Sequence, residues 1–128
     1  MKKNNLPHPS EAELEILQVL WKDQPTSVRE IHEQLSNIKD VGYTTILKQV
    51  QRMFDKGIVT RTKEGKIHLY SAVLKEKNIQ KGMLNKLVKT AFKGSKMDLV
   101  MQALGNSKVT PEEIEALQQW LEKQKTKK

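Results

Sequence analysis

Cysteine is absent from this chain of 128 residues. No disulfide framework can form, and thiolate-held metal sites are excluded. Aromatic residues are scarce at 5%, so any core must be built mostly from Leu, Ile and Val. No apolar run approaches the length of a membrane span. The opening MKKNNLPHPS has two lysines but no apolar segment behind them. No secretory leader is expected, and the chain reads as cytoplasmic. Phosphate-cradling glycine loops, nucleophile–base sets and metal-ligand clusters are also missing, so neither catalysis nor a bound cofactor is expected. His8, His32 and His68 are scattered, with no second ligand at metal spacing. Structural or solvent-facing roles are expected for all three.

Positive charge is plentiful. Net charge is +8 and the pI is about 9.7, a balance that suits a polyanionic partner. Its distribution says more. Residues 1–40 hold five Lys/Arg against seven Asp/Glu. Residues 41–70 hold six against two, and residues 75–96 seven against one. The last segment, 97–128, balances at five and five.

The stretch VGYTTILKQVQRMFDK, residues 41–56, lies where the charge turns positive. Ile46, Leu47, Val50, Met53 and Phe54 recur at helical spacing and share one side. Thr45, Lys48 and Arg52 fall on the opposite side, with Tyr43 and Thr44 at the start. Such a helix can fill a core while offering hydroxyls, an amine and a guanidinium to the major groove. Taken alone, the stretch fits an ordinary amphipathic surface helix better. Its surroundings reverse that preference.

Before it come two capped helices. Ser10-Glu11-Ala12-Glu13 is a capping box opening a helix that runs to about Lys22. Gln24-Pro25-Thr26 breaks the chain, and Ser27-Val28-Arg29-Glu30 is a second capping box that opens a short helix. Two short helices and a third with a polar face make a helix-turn-helix. After the third helix, Gly57 suits a left-handed cap. Ile58–Arg61 and Ile67–Tyr70 then read as strands around a glycine-bearing turn, forming a β-hairpin. The expected fold is mainly α with a small β-hairpin, a winged helix-turn-helix over residues 1–73. Arg61, Lys63 and Lys66 are the wing candidates.

Several of these side chains have two readings. Thr44 and Thr45 either cap the third helix or reach DNA; DNA contact is favoured. Lys48 is read as meeting phosphate or guanine. Arg52 either reaches DNA or pairs with an acid of its own fold. Tyr43 either packs against the turn or meets phosphate and a thymine methyl.

Residues 74–128 read as three helices. Ile79, Met83 and Leu87 form a four-residue repeat with Lys77, Lys81, Lys86, Lys89 and Lys93 on the other side. That lysine face is either simply solvated or adds attraction for DNA. Leu99, Val100 and Leu104 mark a shorter helix closed by Gly105. Thr110-Pro111-Glu112-Glu113 starts the last, which carries Ile114, Leu117, Trp120 and Leu121. The terminal KQKTKK is expected to fray. So short a helical piece makes a poor core alone, so it is expected to dimerise with a second copy rather than fold back on the winged helix.

The motifs AELEILQVLW, SVREIHEQL, YTTILKQVQRMFDKGIVTR and GKIHLYSAV together resemble the penicillinase repressor family, which includes methicillin-resistance repressors and copper-responsive relatives. The likeness continues through FKGSKMDLVMQAL and TPEEIEALQQWLEK. The resemblance implies a homodimer that represses transcription from a palindromic operator of double-stranded DNA. The third helix, from Tyr43 to Arg52, would be its reader. Antibiotic-sensing members are inactivated by a regulatory protease near an Asn-Phe pair. Gln102-Ala103 stands in that place here and departs from the pattern. The C-terminal cysteine cluster of copper-responsive members is missing. Two rivals stand beside this reading: a winged helix used to bind protein, which needs no phosphate contacts, and a ligand-gated sensor that binds DNA only in one liganded state. Charge clustered at 41–70 argues against the first, and the second needs a pocket that the few aromatics do not reveal.

Overall fold

A computed structural model describes residues 8–106 and 108–127. The segment MKKNNLP, read as lacking a leader, lies outside the described residues, as do Ser107 and Lys128. The elements in order are α1 (Glu11–Lys22), α2 (Val28–Ser36), α3 (Tyr43–Lys56), β1 (Val59–Glu64), β2 (Ile67–Ala72), α4 (Glu76–Ala91), α5 (Lys96–Gly105) and α6 (Pro111–Thr126). The chain divides into two compact units, Met1–Leu84 and Asn85–Lys128.

Local chemistry sets most helix ends of the first unit. At α1 both arms of the capping box form: Glu13 N–H donates to Ser10 Oγ at 3.1 Å, and Ser10 N–H donates to Glu13 Oε1 at 2.9 Å. At α2 only the forward arm is made, Glu30 N–H to Ser27 Oγ at 3.2 Å. α3 begins differently. Its N-cap is Gly42, which has no side chain to cap with. Thr44 therefore does not cap this helix. At the far end Gly57 has φ of 83°, the left-handed conformation that glycine adopts without steric cost.

The hairpin follows at once. β1 and β2 pair antiparallel from Val59↔Ala72 to Glu64↔Ile67, which leaves Gly65-Lys66 as a two-residue turn. Gly65 has φ of 63°, and such turns need glycine where φ is positive. Thr26 adds a minimal third strand. Its N–H donates to Tyr70 O at 3.0 Å and its carbonyl accepts from Tyr70 N–H at 2.7 Å. The loop between α1 and α2 is thereby tied to the wing.

The core of this unit fills the space between α1, α2, α3 and the base of the hairpin. Leu17, Leu20, Ile31, Val50 and Met53 are fully buried in it. At roughly 1.5–3 kcal/mol per such side chain, this burial is the main force holding the three helices together. Trp21 ties the end of α1 to the segment before α4, its Nε1–H donating to Leu74 O at 2.8 Å.

α4 departs from the expected single apolar stripe. Ile79 and Val88 are its buried residues, while Met83, Leu84 and Leu87 are exposed. Ile79 and Val88 are nine positions apart in the sequence, about two and a half helical turns, so they lie on opposite sides of the helix. Spacing of four at Ile79, Met83 and Leu87 does not reveal which side meets a neighbour.

In the second unit, α5 and α6 contain no buried residue. α6 starts on a complete capping box at Thr110 with proline in its first turn. It runs through to Thr126 rather than fraying over its basic end. Lys123 and Lys125 lie in the last turn, where positive charge suits the helix dipole, and Lys125 pairs with Glu122 at 3.7 Å. Among the described residues no helix is long and apolar enough to cross a membrane.

Candidate nucleic-acid interface

α3 sorts its residues by side. Ile46, Val50 and Met53 are buried in the core, whereas Thr44, Thr45, Lys48 and Arg52 are exposed. Thr44 and Lys48 are one turn apart, and Arg52 is one turn further. Gln51 joins the same face three positions after Lys48 and is also exposed. It gave no charge signal in the sequence, yet its carboxamide has the donor and acceptor that match an adenine edge. Tyr43 sits on the flank of this face. It is 45% exposed, and its ring meets the His32 ring edge-on at 5.9 Å between centroids.

The wing packs beside this helix, and one cation–aromatic stack marks the junction. Arg61 on β1 places its guanidinium carbon 4.0 Å from the centre of the Phe54 ring on α3. A cation over an aromatic face is attracted by the ring quadrupole. The stacked guanidinium keeps its edge donors available. Strand alternation puts Lys63 on the same hairpin face as Arg61, directly across from His68. Lys66 is in the turn itself. All three wing candidates are exposed, but they are spread from the α3 contact to the tip.

Electrostatics separate these cations from the others. The ion pairs among the described residues are Arg29–Glu33, Lys39–Glu15, Lys56–Glu13 and Lys125–Glu122. Lys48, Arg52, Arg61, Lys63 and Lys66 are in none of them. The intramolecular acid partner considered for Arg52 is thus not found among the described residues. Five cations on α3 and the wing thus stand outside the ion pairs of the described residues.

Lys56, in the last turn of α3, has a different task. Its Nζ lies 2.6 Å from Glu13 Oε2, and the Glu13 side chain is 4% exposed. Burial works against ionisation of Glu13. The hydrogen bond from Lys56, the bond from Ser10 N–H and the Lys56 charge outweigh it and hold the carboxyl below its usual value. This pair ties the start of α1 to the end of α3. It joins residues far apart in the chain, so spacing gave no sign of it. Among the described residues, no group of three or more His, Cys, Asp or Glu is placed to hold a metal ion.

A sequence model described as "Penicillinase repressor" matches residues 9–123. The chain belongs to the penicillinase repressor family. The penicillinase repressor of Bacillus licheniformis is 30% identical over 128 residues, covering 100% of this chain and 98% of that protein. The methicillin resistance regulatory protein MecI of Staphylococcus aureus strain N315 is 28% identical, covering 89% of this chain and 93% of MecI. The transcriptional regulator BlaI of Mycobacterium tuberculosis is 28% identical, covering 83% and 77% respectively. Among solved structures, the DNA-binding domain of the repressor BlaI superposes with a TM-score of 0.51 at 33% identity. That likeness covers 59% of this chain and 90% of the BlaI domain. This penicillinase repressor relative thus shares the winged-helix fold of its family.

Proposed function

We propose that this chain is a cytoplasmic, homodimeric repressor of transcription that binds a pseudo-palindromic DNA operator in a sequence-specific way. Residues 1–73 bind DNA and residues 74–128 dimerise. The observation that carries the reading is the unneutralised cation set on the exposed side of α3 and along the wing. Thr44, Thr45, Lys48 and Arg52 face the major groove, with Tyr43 at the rim. Arg61, Lys63 and Lys66 hold the phosphate backbone. Phosphate contacts set register, and base edges met by α3 set sequence.

Dimerisation is supported by apolar side chains left exposed in the single chain. Ile114, Leu117, Trp120 and Leu121 on α6 are all more than a third exposed, as are Val100 and Leu104 on α5 and Met83 and Leu87 on α4. Leu99 is half-buried and Ile79 buried, so these two meet their own chain first. A soluble protein covers a face of this kind, and a second copy is the simplest cover. One half-site per protomer then puts half-site centres about one helical turn apart. The relatives' names point to antibiotic-resistance genes as the class controlled. Release by a regulatory protease is the family route to be tested, with Gln102-Ala103 in place of the usual pair.

Footprinting of the purified protein on promoter fragments from its own locus tests this reading. A protected pseudo-palindrome, saturating at two chains per site, is expected. Equal weak binding to all duplexes would overturn it.

A further inference from the structure

α3 starts on Gly42 without a side-chain cap, yet its first residues must be held in place if the helix is to read bases. His32 on α2 meets the residues on both sides of that glycine. Its Nε2 lies 2.8 Å from Val41 O, and its ring edge meets Tyr43 at 5.9 Å between centroids. A carbonyl oxygen only accepts, so Nε2 carries the proton. Ser36 Oγ, at 3.1 Å from the same nitrogen, flanks this bond from within α2. The ring is half-buried.

We infer that His32 is a positioning residue for DNA recognition: where α3 has no side-chain cap, it holds the approach to the helix through Val41 O and orients Tyr43 through its ring. The inference rests on α3 being the reading helix. Most helices here are capped by their own sequence, through Ser10, Ser27, Ser95 and Thr110. A capping side chain on α3 would sit near the exposed Thr44 and Thr45, where DNA is expected. Holding the helix start from α2 leaves that surface clear. The first bond of α3, Ile46 N–H to Gly42 O, is long at 3.2 Å. It is the bond that loosens first if the grip is lost.

Hydrogen exchange on the full chain tests the grip without DNA. In His32→Ala the Ile46 amide should exchange about fivefold faster relative to the Val50 amide, the scale of one net hydrogen bond. His32→Gln, whose amide can still donate to Val41 O, should keep most of the protection, and His32→Phe, with a ring but no donor, should not. Adding Gly42→Ser to His32→Ala should restore protection, because a Cβ at Gly42 meets nothing within 4 Å and its φ of −82° suits any residue. Unchanged Ile46 exchange in His32→Ala, or no recovery with Gly42→Ser, would overturn the role in holding the helix start. On DNA, His32→Ala should lower the preference for operator over random duplex about fivefold, with random-duplex affinity unchanged. An unchanged preference would overturn the role in recognition. A wild-type protein with no operator preference would instead sink the DNA reading, and the exchange data would still judge His32.

Discussion

The two units use similar apolar residues to different ends. In the first, Leu17, Leu20, Ile31, Val50 and Met53 disappear into a shared interior. In the second, α5 and α6 carry Val100, Leu104, Ile114, Leu117, Trp120 and Leu121, and none is buried. The first unit has three helices and a hairpin closing on one another, so its apolar faces find partners inside the chain. Among the described residues of the second, α5 and α6 bury none of their side chains. The contrast teaches that an amphipathic pattern announces that a face will be covered, not by what.

The largest expected effect breaks the closed side of this comparison. Leu17→Ala should cost about 2–5 kcal/mol by denaturant unfolding, because Leu17 is fully buried and its loss leaves a cavity that neighbours fill only in part. A loss below about 1 kcal/mol would mean the interior is looser than its burial implies. Next comes the open side. Trp120→Asp should leave the first unit folded by NMR but convert dimer to monomer in sedimentation, weakening association by about tenfold or more. An undisturbed dimer would remove α6 from the interface.

A smaller effect sharpens how the first unit is tied. Glu13→Gln keeps a capping side chain but removes the charge facing Lys56. It should cost about 1 kcal/mol at neutral pH, with Lys56 half-exposed and partly screened. The folded carboxyl of Glu13 titrates below its unfolded value. Its contribution is therefore complete above the unfolded value and is lost as pH falls through the folded one. Wild type and Glu13→Gln should converge in melting temperature once the pH has fallen through the folded titration of Glu13. A constant gap across acid pH would show that the pair's charge contributes nothing. The smallest effect concerns exposed cations. Lys48→Ala and Lys66→Ala should each lower the salt slope of operator binding by about one unit if each touches one phosphate. Unchanged slopes in both would end their assignment as phosphate contacts.

How much could be read beforehand follows the range of each interaction. The capping boxes at Ser10 and Thr110 link residues three apart, and both are formed. The buried side of α3 follows from spacing within one helix. The lesser reading of Thr44 as a cap fails because the capping position fell on Gly42, two residues before it. Gln51 shares the exposed face of α3 but was not singled out, because a neutral amide carries no charge signal. His32 read as unremarkable because Val41 and Tyr43 approach it only after α2 and α3 fold together.

From the sequence alone came the order of helices, the hairpin, the family likeness and the identity of the exposed cations on α3 and the wing. Each depends on contacts within a turn or on a pattern along the chain. Only the tertiary structure decided that Arg61 stacks on Phe54, that Lys56 is held by Glu13 and that His32 spans Gly42. It also decided that Ile79 and Val88, rather than Met83 and Leu87, are the buried residues of α4. These pairings need separate elements to meet at a given distance and angle, and packing, not spacing along the chain, determines that geometry.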